Sequence, residues 1–289
     1  MLRFLPGFSF CAFRGVDDSW FSHVLALDGV RSILGEDLTS FKIKQILAGN
    51  QGVTIIFYGN EKLETVWRIS SSDEGKLRIR TNAQALQTIA KGNTSSSYVP
   101  KLYYQGEVQN YEFSIEEKLA GLESSSDDVE LNHHLQRKGL EWLRDYQLEN
   151  ACMTLVSTQD YSKLVEPHFD SLRSFCNETE REVFVRSDIL LRSVLIGEEL
   201  PMVPLHGDFK PGNVLFSQDG ALRAVIDWDM YRPKYFPMVD LFIHLIYKEF
   251  ESGSKFPNAF FDSFLPSYTS GAYDEVIRLW QAKWNLKIE

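Results

Sequence analysis

Cysteine is scarce in this 289-residue chain: Cys11, Cys152 and Cys176 are widely spaced, and no C-x-x-C occurs. An odd, scattered set supports neither a disulfide framework nor a zinc site, and it fits a reducing, cytoplasmic compartment. Positive charge is also short, with 30 Lys and Arg against 40 Asp and Glu and a net charge of −10. A nucleic-acid partner needs a cationic footprint to displace counterions, and a polybasic membrane anchor needs one too, so neither is expected. No apolar run approaches the ~18 residues of a membrane span. The most apolar late segment, FPMVDLFIHLIY, is broken by Asp240 and His244. The opening MLRFLPGFSFCAF is interrupted by Pro6 and Gly7 and meets Arg14, Asp17 and Asp18 with no small-residue cleavage site, so no signal peptide is expected. There is no internal repeat, no G-x-S-x-G elbow and no H-E-x-x-H helix, which removes the main residues of a hydrolase.

What remains is an ordinary globular composition, 44% hydrophobic and 24% charged, in a chain long enough for two lobes. Residues 1–121 carry 13 Lys or Arg and 13 Asp or Glu, whereas residues 122–289 carry 17 and 27. The whole acidic excess therefore lies in the second part, where it aids solubility and favours a cationic ligand. Residues 17–34 read as one helix. FKIKQILAG and VTIIFYG read as a hairpin across Gly49-Asn50-Gln51-Gly52, with ETVWRIS as a third strand. Ser70 to Gly75 reads as a polar break before a helix over 78–91, and VPKLYYQG and YEFSIEEKL give two more strands.

Leu122 to Asp128 reads as the lobe boundary. Helices are expected over 131–149, 159–176 and 179–196, with Pro201 and Pro204 ending the run. A strand-rich stretch over 203–229 and helices over 238–250, 257–266 and 271–285 complete the chain. Trp142, Trp280 and Trp284 fall at helical spacing and read as core. His244 reads as a core histidine, and His133-His134, with no partner at ligand spacing, as a solvated helix start.

The segment that carries chemistry is VPLHGDFKPGNVLFSQDGALRAVIDWD, Val203 to Asp229. His206-Gly207-Asp208 follows an apolar strand, Asn213 lies five residues beyond Asp208, and Asp227 closes a short hairpin. That places Asp208, Asn213 and Asp227 at one end of a small β-ribbon. Carboxylate and amide oxygens so grouped suit Mg²⁺, and Lys210 adds a positive charge for a phosphate.

HGDFKPGN followed shortly by IDWD resembles the aminoglycoside phosphotransferase and choline kinase family of the protein-kinase-like superfamily. The resemblance implies a two-lobed α+β kinase-like fold. Residues 1–121 would form a β-rich nucleotide-binding N-lobe, and 122–289 a mainly helical C-lobe with the catalytic loop and acceptor site. It implies ATP- and Mg²⁺-dependent phosphorylation of a hydroxyl on a small molecule: a sugar, amino sugar or amino alcohol. Asp208 matches the base and Lys210 the group that stabilises transferring charge. Asn213 and Asp227 match the metal ligands. His206 would orient the loop, Asp229 would take a salt bridge or an acceptor contact, and Asp240-Leu241 would anchor the catalytic segment.

On the nucleotide side, Gly49 and Gly52 match the phosphate-covering loop, and Ile115, Glu116 and Glu117 the strand whose backbone pairs with adenine. Two positions depart from the family. Arg68 stands where a Lys is usual, and Asn82 or Gln84 where a helical Glu should pair with that cation. These departures motivate an alternative reading, a pseudokinase or nucleotide-binding module without turnover. A protein-phosphorylating enzyme is disfavoured by the HGD form and the lack of an A-P-E segment.

Overall fold

A computed structural model describes residues 18–35, 37–92, 95–123, 129–173, 177–250 and 259–284. The first-turn Asp17, Cys11, Cys176, the serines after Glu123 and the start of the expected 257–266 helix lie outside the described residues. The fold is the expected α+β kinase-like one, with a sheet in the N-terminal part and mostly helices beyond it.

The N-terminal sheet is antiparallel, in the order β1 (Lys42–Ala48), β2 (Thr54–Gly59), β3 (Glu64–Ser70), β5 (Tyr111–Glu117), β4 (Leu102–Val108). The expected order of three strands, helix, two strands is present, and β5 inserts between β3 and β4. Two helices precede it, α1 (Asp18–Leu25) and α2 (Asp28–Leu34), where one was expected. The chain breaks at Leu27, whose backbone is extended. The break lets both short helices bury apolar faces, Trp20, Phe21 and Val24 from one and Val30 and Leu34 from the other. Gly29 sits against the Tyr104 ring, where a Cβ would come within 2.5 Å.

The next helix, α3 (Asp73–Ile89), starts five residues before the expected Arg78. Ser72 caps it, its hydroxyl accepting from Gly75 N at 3.2 Å, and Asp73 and Glu74 complement the positive end of the helix dipole. The polar stretch expected as a break thus holds the helix start. The far end of α3 leaves the N-terminal core. Ala85, Leu86 and Ile89 pack in the second hydrophobic cluster with Leu143, Val203, Phe209, Val214 and Trp228.

Beyond the short strand β6 (Leu122–Glu123) come α4 (Val129–Glu149) and β7 (Cys152–Leu155). The helix expected over 159–176 is two, α5 (Thr158–Leu164) and α6 (Glu166–Arg173). Pro167 explains the division: it lacks an N–H and is tolerated only in a first turn. Then follow α7 (Glu178–Leu195), β8 (Glu199–Leu205), β9 (Val214–Phe216), β10 (Leu222–Val225), β11 (Arg232–Tyr235) and α8 (Val239–Phe250). A π-helical turn, Ala259–Phe264, leads into α9 (Leu265–Thr269) and α10 (Asp274–Trp284). Strands β10, β9 and β6 form one three-stranded sheet, and β11, β8 and β7 another. Among the described residues no helix is long and apolar enough to cross a membrane.

Candidate active site

Strand β8 delivers the chain to His206, and a buried carboxylate catches it there. Asp240, at the start of α8, accepts from His206 N and Gly207 N, both at 2.8 Å, and from Gln147 Nε2 at 3.0 Å. Burial pushes the Asp240 carboxyl up to about 7 against the pull of these donors. Gly207 has φ 84° and lies against Met230, whose carbonyl oxygen a Cβ would approach to 2.5 Å, so only glycine makes this turn. The ring of His206 is fully occupied. Nε2 donates to Ile226 O at 3.0 Å, and Nδ1 accepts from Asp208 N at 3.3 Å. Burial pushes this imidazole down to about 4, so it is neutral and acts as a bracket between the loop and the end of β10.

The turn presents Asp208 beside two partners. Its Oδ2 accepts from Lys210 Nζ at 2.6 Å and from Asn213 Nδ2 at 3.2 Å, and its backbone O accepts from Asn213 Nδ2 at 2.8 Å. A 3-10 turn, Pro211–Asn213, sets this spacing, with Asn213 N donating to Lys210 O at 2.9 Å. Burial works against the charge on Lys210, but the bond to Asp208 prevails and raises its pKa. Tyr247 of α8, not singled out in the sequence, completes the group. Its hydroxyl bonds the Asp208 carboxylate, and its ring lies 5.4 Å from Lys210 Nζ.

Asp227 reaches the same place from the end of β10. Ile226 N donates to Asn213 O at 2.9 Å, tying the two segments together, and Asp227 itself adopts φ 66°. Its Oδ1 accepts from Arg68 Nη1 at 2.8 Å. Burial raises the Asp227 pKa, but the adjacent guanidinium outweighs it and holds the carboxyl below its ordinary range. Asp229 pairs with Arg78 of α3 at 3.2 Å. Burial and the nearby Asp227 charge nevertheless raise its pKa.

Arg68 is 7% exposed and has a second carboxylate. Its Nε donates to Glu116 Oε1 at 2.9 Å. Glu116 Oε2 accepts from Asn82 Nδ2 at 2.9 Å, and Asn82 Oδ1 accepts from Trp228 N at 3.0 Å. Of the two helix positions expected to lack a Glu, Asn82 joins this network, and the carboxylate beside Arg68 comes from β5. Glu116, expected to act through its backbone, thus also engages Arg68 through its side chain. Alternation in β5 carries the missed signal: Glu112, Ser114 and Glu116 share one buried face, opposite Ser70, Arg68 and Val66 of β3.

The other nucleotide-side candidates lie apart from these charges. The turn of Gly49 and Gly52 is bound to the start of α3: Ser70 Oγ donates to Gly52 O at 3.0 Å, and Ser72 Oγ to Gln51 O at 3.0 Å. Glu117 N donates to Lys101 O at 2.9 Å, and Glu117 lines a cavity with Leu86, Lys101 and Arg223. Asp208, Lys210, Asn213, Asp227 and Arg68 thus form one connected cluster, whereas Gly49, Gly52 and Glu117 do not touch it.

The cluster's oxygens fit a hard divalent cation. The Asn213 amide nitrogen is engaged by Asp208, which leaves its Oδ1 as acceptor, and Asp227 keeps Oδ2 beside the bond to Arg68. Among the described residues no three His, Cys, Asp or Glu side chains converge on a metal site; a cation held here would take one carboxylate, Asp227, and one amide, Asn213.

No curated protein matches the sequence. Solved structures share its fold. An aminoglycoside phosphotransferase APH(3'')-Id from Streptomyces rimosus aligns over 93% of each chain at 11% identity, with a TM-score of 0.55. A thermostable mutant of aminoglycoside phosphotransferase APH(4)-Ia, apo form, aligns over 89% of this chain and 97% of its own at 16% identity and a TM-score of 0.52. The same enzyme in ternary complex with AMP-PNP and hygromycin B aligns over 77% of this chain and 76% of its own at 17% identity and a TM-score of 0.52. The family model described as the phosphotransferase enzyme family matches residues 42–276, spanning the sheet, the HGD turn and α8. With the HGD turn, the buried Asp240 and the Asp227 segment arranged as described, the chain belongs to the phosphotransferase enzyme family.

Proposed function

We propose that the protein transfers the terminal phosphoryl group of ATP, with Mg²⁺, to a hydroxyl of a small molecule: a sugar, amino sugar or amino alcohol. The observation that carries this reading is the contact of Asp208 with Lys210 and Asn213, one backbone hydrogen bond away from the Asp227 segment. In the proposed reaction Asp208 receives the acceptor's hydrogen bond. As the hydroxyl oxygen bonds to the terminal phosphorus, its proton passes to Asp208 and the bond to the β-phosphate oxygen breaks. Lys210 faces the charge on the transferring phosphoryl group, and Arg68 binds the α- and β-phosphates of the nucleotide. Asn213 Oδ1 and Asp227 would hold Mg²⁺, which neutralises phosphate charge when bound.

Residues 1–121 would bind the nucleotide, with Gly49 and Gly52 near its phosphates and the linker beginning at Glu117 along its base. Residues 122–289 would supply the catalytic turn and the acceptor site, and the acidic excess there favours a cationic acceptor. An exposed, free Cys152 supports the cytoplasmic assignment.

The test is labelled ATP with MgCl₂ against a panel of sugars, amino alcohols and aminoglycosides. Transfer to at least one acceptor, lost in Asp208→Ala, is expected. Nucleotide binding with no transfer across the panel would favour the binding-module reading, and labelled polypeptides in a protein extract would favour a protein acceptor.

A further inference from the structure

A guanidinium as buried as Arg68 needs carboxylate partners, and the two it has are of different kinds. Asp227 is a proposed metal ligand, so a bound cation would compete with Nη1 for its oxygens, and nucleotide phosphates would compete with Asp227 for Nη1. Glu116 holds Nε from the rear, at 2.9 Å, on a strand of the central sheet. A guanidinium gripped at Nε keeps its two Nη groups as a forward fork, the geometry that suits phosphate oxygens.

Asn82 explains why the helix carries an amide here. It must donate to Glu116 on one side and accept from Trp228 N on the other. A carboxylate at 82 would set two negative charges against each other. Because Trp228 follows Asp227, the same amide ties α3 to the metal-ligand segment, and the Arg78–Asp229 pair ties it a second time.

From this geometry, and resting on the function proposed above, we infer that Glu116 and Asn82 are positioning residues for nucleotide binding. The carboxylate that orients the β3 cation has moved from helix to strand, and an amide relays it to the backbone beside Asp227. The two departures at 68 and 82 are one compensated exchange and not the decay of a site.

The experiment measures affinity of the full chain for AMP-PNP with MgCl₂ by equilibrium dialysis, together with thermal unfolding and the KM and kcat for ATP. Glu116→Gln is expected to weaken AMP-PNP binding and raise KM tenfold or more, with kcat within threefold. The swap Glu116→Gln/Asn82→Glu restores the net charge and can keep the hydrogen-bond chain. It is expected to bind within threefold of wild type. Asn82→Ala, which spares the ion pair and cuts the relay, should weaken binding at least threefold and gives a second reading if Glu116→Gln does not fold. Binding by folded Glu116→Gln or Asn82→Ala within twofold of wild type would overturn the inference. So would a swap no better than the single change, or a lowered unfolding temperature with affinity unchanged. Wild-type protein that binds no AMP-PNP would instead overturn the proposed function itself.

Discussion

At the scale of single residues, the HGD turn gives neighbouring side chains different surroundings. His206 is neutral and bonded at both nitrogens, so it cannot take a proton without breaking a bond. Asp208 is the one carboxylate of the turn with charged and amide donors around it and a tyrosine hydroxyl beside it. Asp208→Asn keeps the shape and removes the proton acceptor. Turnover is expected to fall by a factor on the order of 10² to 10⁴ while AMP-PNP affinity stays within a few-fold, measured by initial rates and dialysis. An equal loss in both would mean that Asp208 holds the site together and does not act on the acceptor. The grouping of Asp208, Lys210, Asn213 and Asp227 was legible because each sits at a fixed spacing in one short stretch. The contacts of Glu116 and Asn82 were not, because they join residues 34, 48 and 146 apart along the chain, and Tyr247 meets the turn from α8. A bond between β3 and the end of β10 has no periodicity to read.

At the scale of elements, the strands of the N-terminal sheet were readable from alternation, and the helices less so at their ends. Ser72 capping α3, the extended Leu27 and Pro167 at a first turn each move a boundary for a local reason. The junction of β3, the glycine turn and α3 is tight. Ser70 Oγ bonds Gly52 O, and a Cβ at Gly75 would stand 2.1 Å from Ser70 Oγ and 2.7 Å from its Cβ. Ala in place of Gly is worth up to ~1 kcal/mol in helix propensity. Overpacking against a short, engaged side chain costs ~1–3 kcal/mol, so the clash should win. Gly75→Ala is expected to lower the urea midpoint, and Gly75→Ala/Ser70→Gly to recover part of the loss by opening the space. A Gly75→Ala protein as stable as wild type would show that the junction yields freely.

At the scale of the whole molecule, α3 belongs to both halves. Its start holds the glycine turn, Asn82 and Arg78 reach the Asp227–Asp229 segment, and its end lies in the core of the helical part. Burial in that second core also governs the response to pH, through two groups on opposite sides of one hydrogen bond, His206 N to Asp240 Oδ2 at 2.8 Å. The His206 ring is pushed down from 6.5 to about 4, so between those values the unfolded chain binds the extra proton. Its contribution therefore falls as pH drops from 6.5 toward 4, by about 3 kcal/mol in full. Asp240 is pushed up from 3.8 to about 7, so between those values the folded chain binds the extra proton. Its contribution is complete below 3.8 and is lost as pH rises through 7, about 4 kcal/mol in the opposite direction. In the wild type the two slopes largely cancel between pH 6.5 and pH 4. Asp240→Asn removes one of them, and its stability relative to wild type should fall steadily on acidification across that window. His206→Gln removes the other, and its stability relative to wild type should rise. Urea unfolding at half-unit steps of pH reads both. Parallel curves for wild type and Asp240→Asn would mean that the Asp240 proton does not exchange on folding, and that its three donors keep it a carboxylate throughout.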